Sequence, residues 1–492
     1  MKKINPVILS LSLVTPALAQ TETQQLKSNS QQPNVILIYA DDIGYGDLQC
    51  YGAKNVETPN VNRLADNGIR FTNAYSAASV STPSRYGLLT GEYPWRREGT
   101  NVANGDAAMI IKPEQLTAAD IFKQAGYNTA AIGKWHLGLG DENGRQDWNK
   151  KIEPNLEDIG FDYSYIMAAT ADRVPCVFIE NGMVADYDST SPIYVSYNQN
   201  FEGEPTGREN PELLYNLKHT IGHDQSIVNG IGRIGYMKGG GKALWKDENI
   251  ADSITAHAVS FINENKEKPF FLYFATNDVH VPRFPHERFR GMTGMGMRGD
   301  AIAQFDWCVG EIIKTLEEND LLDNTLIILS SDNGPVLNDG YDDQAEELLN
   351  GHDPMGGLRG GKYSCYEAGT RVPFIVHYPK EIKEGKVSDA LVSQIDFLEV
   401  MANLINISED KNLSPDGIGK ELDTWLGKDK KGRRYVIQMA QNQNLSYRTR
   451  KWKYITPCNG PDTLSWAPNI ETGYSEKPQL FKIKKGRKDF ER

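Results

Sequence analysis

Short apolar runs that end in polar clusters recur along the chain. "NVILIYADD" (34–42), "NTAAIGKWH" (128–136), "PFFLYFATNDVH" (269–280), "NTLIILSSDNG" (324–334) and "RVPFIVHYP" (371–379) share this form. Continuous apolar runs rich in β-branched and aromatic residues predict strands buried on both faces of a mostly parallel sheet. Between them, "TPNVNRLADNGIRF", "TAADIFKQAGY" and "DSITAHAVSFINEN" place apolar residues at helical spacing. Alternation of the two predicts an α/β fold, a large doubly wound mixed sheet flanked by helices. "SQIDFLEVMANLINI" (393–407) predicts a helix that closes this unit, and "RRYVIQMAQNQNLSYRTRKWKYI" (433–455) alternates in period two, as a small C-terminal antiparallel sheet does. Residues 180–250 are polar, Gly-rich and irregular, and read as an insertion over one rim of the sheet.

At 492 residues, 39% hydrophobic and 24% charged, the chain is long enough for a large core and an accessory unit. "MKKINPVILSLSLVTPALAQ" has a basic start, an apolar middle and small residues at Ala17 and Ala19, the form of a secretory signal over residues 1–19. That predicts an exported protein, periplasmic or secreted, with no membrane span, since the apolar stretch is too short. Losing Lys2 and Lys3 with the leader takes the net charge from −12 to −14. So acidic a chain is no nucleic-acid binder, and an anionic substrate has to be held by a few local cations. Five cysteines, with no C-x-x-C pair, allow at most two bridges and exclude a zinc or redox site of that type.

Ligands of open α/β sheets bind outside the carboxyl ends of the strands. That rule puts Asp41, Asp42, Lys134, His136, His280, Asp332 and Asn333 on one rim. Asp41-Asp42 and Asp332-Asn333 supply oxygen ligands, which suit Ca²⁺ or Mg²⁺ rather than zinc. Either pair alone also reads as a turn or a helix cap. Arg85, Lys134, His136, His280 and Lys362 are donors suited to a tetrahedral anion such as a sulfate or phosphate ester. "SVSTPSRYGLLTG" (79–91), taken alone, is ordinary helix-start chemistry, with Ser and Thr as caps and Pro in the first turn.

Ser81-Thr82-Pro83-Ser84-Arg85, running into "YGLLTG", resembles the signature of the formylglycine-dependent (type I) sulfatases, members of the alkaline-phosphatase-like superfamily. The resemblance extends to "YADDIGYGDLQCYG", "GKWHLG", "SDNGP", "LRGGKYSCYEAGTRVPFIV" and "RTRKWKYI", from roughly residue 33 to 485. It implies a sulfatase domain over 20–410 and a small C-terminal subdomain over 411–492. It further implies that Ser81 is oxidised to formylglycine, whose hydrate carries two hydroxyls on one carbon. One attacks sulfur and the other later expels sulfate, a step that plain serine cannot supply. By the same resemblance, Asp41, Asp42, Asp332 and Asn333, with modified Ser81, hold one metal ion, calcium before magnesium. Arg85 and Lys134 stabilise the hydrate, His136 deprotonates the hemiacetal hydroxyl left after sulfate transfer, and His280 and Lys362 contact sulfate and serve the leaving oxygen. Glu367 and Arg371 hold the Lys362 loop. Serine in place of the more usual cysteine implies a radical-type anaerobic maturing enzyme as a transient partner. "KPQLFKIKKGRKDFER" resembles the closing strand of the family, and the terminal helix that normally follows has no counterpart in this sequence.

Asp172 and Arg173, in "ATADRVPCVFIENG" (169–182), are either a loop salt bridge or a pair that grips one hydroxyl as acceptor and donor. The stretch is similar to that of sulfatases acting on 6-sulfated galactose or N-acetylgalactosamine, as found in glycosaminoglycans and mucins, where such a pair contacts the axial O4. Other sulfated sugars remain open on this reading. So does a phosphate mono- or diester hydrolase using unmodified Ser81, although no further Asp/His cluster marks a second metal. A glycan-binding protein on an inactivated version of the fold would lack a catalytic group, and none is missing here.

Overall fold

The structure, a computed structural model, describes residues 32–407 and 413–483. The leader read at 1–19 lies outside the described residues, as does the end of the chain beyond Ile483. Ten strands form the central sheet. In chain order they are β1 (Asn34–Ala40), β2 (Ile69–Tyr75), β3 (Asn128–Lys134), β4 (Tyr163–Met167), β5 (Phe178–Glu180), β6 (Met183–Val184), β7 (Phe270–Ala275), β8 (Thr325–Ser331), β9 (Phe374–His377) and β10 (Lys386–Ser393). Across the sheet the order is β10-β2-β9-β8-β1-β7-β3-β4-β5-β6. β1 runs parallel to β7 on one side and β8 on the other, and β3 and β4 continue in parallel. β9 runs antiparallel to both β8 and β2, so the sheet is mixed.

All seven residues of β1, "NVILIYA", are buried, as helices on both faces require. The main helices are α1 (Pro59–Asp66), α2 (Ser81–Thr90), α3 (Ala118–Gln124), α4 (Ile250–Glu264), α5 (Gly296–Glu318) and α6 (Phe397–Leu404). They sort into two packed groups, α1 with α5 and α4, and α2 with α6 and α3. α3 starts on a reciprocal cap between Thr117 and Asp120, a device worth about 1 kcal/mol.

Two readings of the pattern change. The helix in "TPNVNRLADNGIRF" stops at Asp66, and Ile69 opens β2. A Cβ on Gly68 would sit 2.4 Å from the Val376 carbonyl oxygen, so the turn passes where only glycine fits. The segment "SQIDFLEVMANLINI" starts as the end of β10 and a 3₁₀ turn, and becomes α-helical only at Phe397.

The C-terminal sheet is an antiparallel meander of β11 (Tyr435–Met439), β12 (Leu445–Thr449), β13 (Trp452–Ile455) and β14 (Gln479–Lys482). Buried Glu367 fastens it to the central sheet. Its carboxylate accepts from the Tyr75 hydroxyl of β2 at 2.7 Å and pairs with Lys453 of β13 at 3.3 Å and Arg448 of β12 at 3.8 Å. Arg371 joins the same carboxylate at 3.5 Å. The reading of Glu367 and Arg371 as architecture stands, but what they hold is the junction of two sheets.

Candidate active site

β8, β1, β7 and β3 are neighbours, about 4.8 Å apart as hydrogen-bonded strands are. Their carboxyl ends deliver Asp332-Asn333, Asp41-Asp42, His280, and Lys134 with His136 to one place. The close approach depends on Gly133, at φ 104°, where a Cβ would lie 1.8 Å from the Ala275 carbonyl oxygen of β7. Asp42 (φ 58°) and His136 (φ 60°) adopt the left-handed conformation without being glycine, at a cost of roughly 1 kcal/mol or more each. Surrounding structure holds them there.

Ser81 is the first residue of α2, whose flanking position is Val80, and no side chain caps that end. The capping reading of this segment therefore fails. Ser84 is turned back on Ala78, accepting from its N–H at 3.2 Å. The Ser81 hydroxyl points the other way, donating to Asp332 Oδ2 and accepting from Lys134 Nζ at 2.6 Å. Lys134 Nζ also donates to Asp41 Oδ2 at 2.5 Å. Arg85, wholly buried, donates to Asp332 Oδ2 at 2.8 Å and to the Tyr273 hydroxyl at 3.0 Å. On the far side Lys362 Nζ bridges Asp42 Oδ2 at 2.8 Å and Asp339 Oδ2 at 3.1 Å. His280 Nδ1 faces the Val281 carbonyl at 2.7 Å, leaving Nε2 3.9 Å from Asp42 Oδ2.

Buried electrostatics divide these groups. Burial pushes Asp41 well above the usual carboxylate range, against Lys134. Burial acts on Asp332 too, but Arg85 and Lys134 overcome it and hold that carboxyl at about 2. Burial, then Lys134, pulls His136 well below the ordinary histidine range, while burial and Lys362 do the same to His280. Burial would lower Lys362, yet Asp339 and Asp42 keep it well above its usual value. His136 Nε2 lies 2.9 Å from the Ala103 carbonyl, which assigns the proton to Nε2. Nδ1 is then a buried lone pair with no hydrogen-bond partner, suited to taking a proton.

Oxygen atoms of Asp41 and Asp42 and a ring nitrogen of His280 lie within 4.8 Å of one another. Asn333 donates to Asp42 Oδ1 at 2.7 Å, and its Oδ1 is buried with no hydrogen-bond partner. An unpartnered buried acceptor beside ionisable carboxylates fits a hard cation.

A cleft of about 310 Å³ opens over Ser81, with His136, His280 and Lys362 on its walls. Asp172 and Arg173 line it as well, paired at 3.0 Å. The sequence reading missed His223, whose Nε2 lies 3.0 Å from Asp172 Oδ2, and Asp339, which holds Lys362 and the Tyr363 hydroxyl. It also missed Gln441 and Trp466, which reach the cleft from the C-terminal part of the chain. None stands next to a motif, so no local signal marked them. Among the described residues all five cysteines are free thiols and no helix is long and apolar enough to cross a membrane.

Comparison with known proteins places this geometry. The family model described as Sulfatase matches residues 33–407. The N-acetylgalactosamine-6-O-sulfatase of Bacteroides thetaiotaomicron is 51% identical over 98% of this chain and 93% of its own. A solved structure from the same organism, described under the metabolism of multiple glycosaminoglycans, superposes with a TM-score of 0.89 at 53% identity, over 92% of this chain and 93% of that one. Human arylsulfatase A is 30% identical over 76% of this chain, which spans 64% of that relative's length. The chain belongs to the sulfatase family, with the alkaline-phosphatase-like fold, and is a sulfuric ester hydrolase.

Proposed function

We propose that this sulfatase removes the 6-O-sulfate of galactose-type sugars, N-acetylgalactosamine 6-sulfate foremost, using a formylglycine made from Ser81 and one bound calcium ion. The observation that carries the substrate is the 51% identity, over nearly the whole chain, to a relative named for N-acetylgalactosamine 6-O-desulfation. The position of Ser81, between a lysine donor and a carboxylate acceptor at the start of α2, supports the chemistry.

Asp41, Asp42, Asp332 and Asn333 would hold the cation, an all-oxygen set that favours calcium, with magnesium second. The cation supplies a positive charge to draw electrons from sulfur, and the aldehyde supplies, as its hydrate, two hydroxyls on one carbon. The remaining work falls to side chains of this chain. Lys134 donates toward the position-81 oxygen, and Arg85 fixes Asp332 and adds charge from behind. His136 Nδ1 takes the proton of the hydroxyl that releases sulfate. Lys362 and His280 face the sulfate and the departing sugar oxygen, Lys362 entering as a cation. The positive end of the α2 dipole points at the same anion.

The leader would carry the chain to the periplasm or outside the cell, after a radical-type maturing enzyme has acted on Ser81. Residues 20–410 form the catalytic unit in this reading, and 411–492 the small one. The test is a panel of defined sulfated monosaccharides, run on protein whose residue 81 has been checked. Turnover should be fastest on galactose-type 6-sulfates. A preference for glucosamine 6-sulfate, whose O4 is equatorial, would overturn the substrate assignment and leave the sulfatase chemistry standing.

A further inference from the structure

The outer face of the C-terminal meander is aromatic, and the site described above makes no use of it. Side chains alternate along its strands. Val436, Arg448, Lys453 and Ile455 turn inward and are buried. Tyr435, Tyr447, Trp452, Tyr454 and Leu480 turn outward, exposed from 38% at Tyr454 to 61% at Leu480. The register lines up one residue from each strand across this face: Ile437 opposite Tyr447, Tyr447 opposite Tyr454, and Tyr454 opposite Leu480. Tyr435 stacks on Tyr447 with ring centroids 4.9 Å apart. Large apolar side chains gathered on one open sheet face mark a surface that meets a ligand or partner.

Charge narrows the occupant. Lys482 stands opposite Trp452 on this face, its Nζ 5.9 Å from the indole ring. The turn between β12 and β13 adds Arg450 and Lys451. Arg450 donates to the carbonyls of Lys430 and Lys431 at 3.3 and 3.1 Å, which brings two more lysines to the same end. All five cations are exposed. Of the five, only Arg450 is in an ion pair among the described residues, with Asp389 at 3.6 Å. The neighbouring Asp429 carboxylate is taken up by the N–H groups of Lys431 and Gly432. In a chain of net charge −12 this end is a local basic patch, the complement of a polyanion.

We infer that this face is a second, non-catalytic binding surface for a sulfated sugar chain. The rings of Tyr447, Trp452 and Tyr454 take the C–H faces of pyranoses while the phenol hydroxyls stay available to sugar oxygens. The cations meet sulfate or carboxylate groups along the chain. Neighbouring strands are about 4.8 Å apart, close to the length of one pyranose, so successive strands can hold successive sugars. β11 leads from this face to Gln441 in the wall of the catalytic cleft, two residues beyond its end. A polymer held on the meander is thereby kept near the cleft at raised effective concentration. The inference rests on the sulfated-glycan reading of the substrate and extends it from one sugar to the polymer that carries it.

The test is a titration with polymeric chondroitin 6-sulfate, a chain that carries 6-sulfated N-acetylgalactosamine. It uses Ser81→Ala protein, which leaves the polymer intact, with the cleft saturated by the best monosaccharide of the panel. The remaining polymer binding should weaken at least about 10-fold when Trp452→Ala and Tyr454→Ala are combined, as loss of stacked rings does. Lys451→Glu with Lys482→Glu should weaken it as much and flatten its dependence on salt. With Ser81 restored, both pairs should keep the wild-type kcat/KM on the monosaccharide and lose turnover of the polymer through KM. Polymer binding unchanged in both pairs overturns the inference, and so does loss of monosaccharide turnover in step with the polymer. Should the aromatic pair lower the melting temperature, the charge pair decides alone. Binding to phosphatidylglycerol vesicles in place of the polymer would make the face a lipid surface. A dimer that the aromatic pair dissolves, with polymer binding untouched, would make it an interface between copies. Either result overturns the inference. Polymer binding is read without turnover, so a wild type that prefers a different sugar overturns the substrate reading and leaves this result standing.

Discussion

Ser81 differs from the other hydroxyls of its segment in what surrounds it. Ser84 satisfies the backbone, Thr82 bonds the His136 carbonyl, and Ser81 alone meets Lys134 and Asp332. Serine at this spot is a precursor in the reading above, which makes a direct prediction. Peptide mass spectrometry of active protein should show the fragment containing residue 81 lighter by the mass of two hydrogens, –CH₂OH having become –CHO. Full activity in protein carrying only serine would rule the aldehyde out. His136 offers a second test at this scale. His136→Gln keeps a donor toward the Ala103 carbonyl and removes the buried lone pair at Nδ1. kcat should fall by about 10²- to 10⁴-fold with KM little changed, as loss of a proton acceptor does. A parallel rise in KM would give His136 a binding role instead.

Strand ends are the elements that assemble the site, and the metal prediction belongs to them. Asp41 follows β1 and Asp332 follows β8, so losing either should remove one wall of the cation pocket without disturbing the sheet. Calcium should raise the melting temperature of the wild type and leave Asp41→Ala and Asp332→Ala unchanged. After chelation calcium should restore turnover best, and restoration by zinc alone would contradict an oxygen-only site. These strand ends were legible because β1, β3, β7 and β8 each carry an apolar run that turns abruptly polar at or just beyond the carboxyl end of the strand. β2 was not, because "IRF" continues the helical spacing of α1 and only the tight turn at Gly68 separates them. α5, the longest helix, escaped notice for another reason. Its buried face includes Arg298, Asp300, Gln304 and Asp306, so hydropathy does not mark the face that packs. Arg298 pairs there with Asp47 at 2.6 Å, a contact between distant segments that no local pattern reveals. His223 is of the same kind, placed by the insertion fold and by nothing within its own sequence.

At the scale of the molecule, Glu367 is where two sheets become one body, since β2, β12 and β13 all send side chains to its carboxylate. Both partners of each contact are buried, unlike the exposed ion pairs whose median worth is about 0–1 kcal/mol. Burial alone would raise this carboxyl, but Lys453, Arg448 and Arg371 together hold it at about 2, against an ordinary 4.5. A folded-state value below the unfolded one means stability that is present above the unfolded pKa and is lost as pH falls through the folded one. The window is therefore from about pH 4.5 down to about 2, and the contribution is on the order of 3 kcal/mol. Urea unfolding from pH 7 to pH 2 should show wild-type stability dropping through that window. Glu367→Gln should start lower, by about 3–5 kcal/mol, because three buried cations lose the carboxylate they share. Its curve should also run flatter in acid, the titrating group having gone. Asp47, held at about 2 by Arg298 and His352 against its own burial, adds a slope that both proteins share. Parallel acid limbs in wild type and variant would mean that the junction titrates elsewhere, and that Glu367 joins the sheets without making their union sensitive to pH.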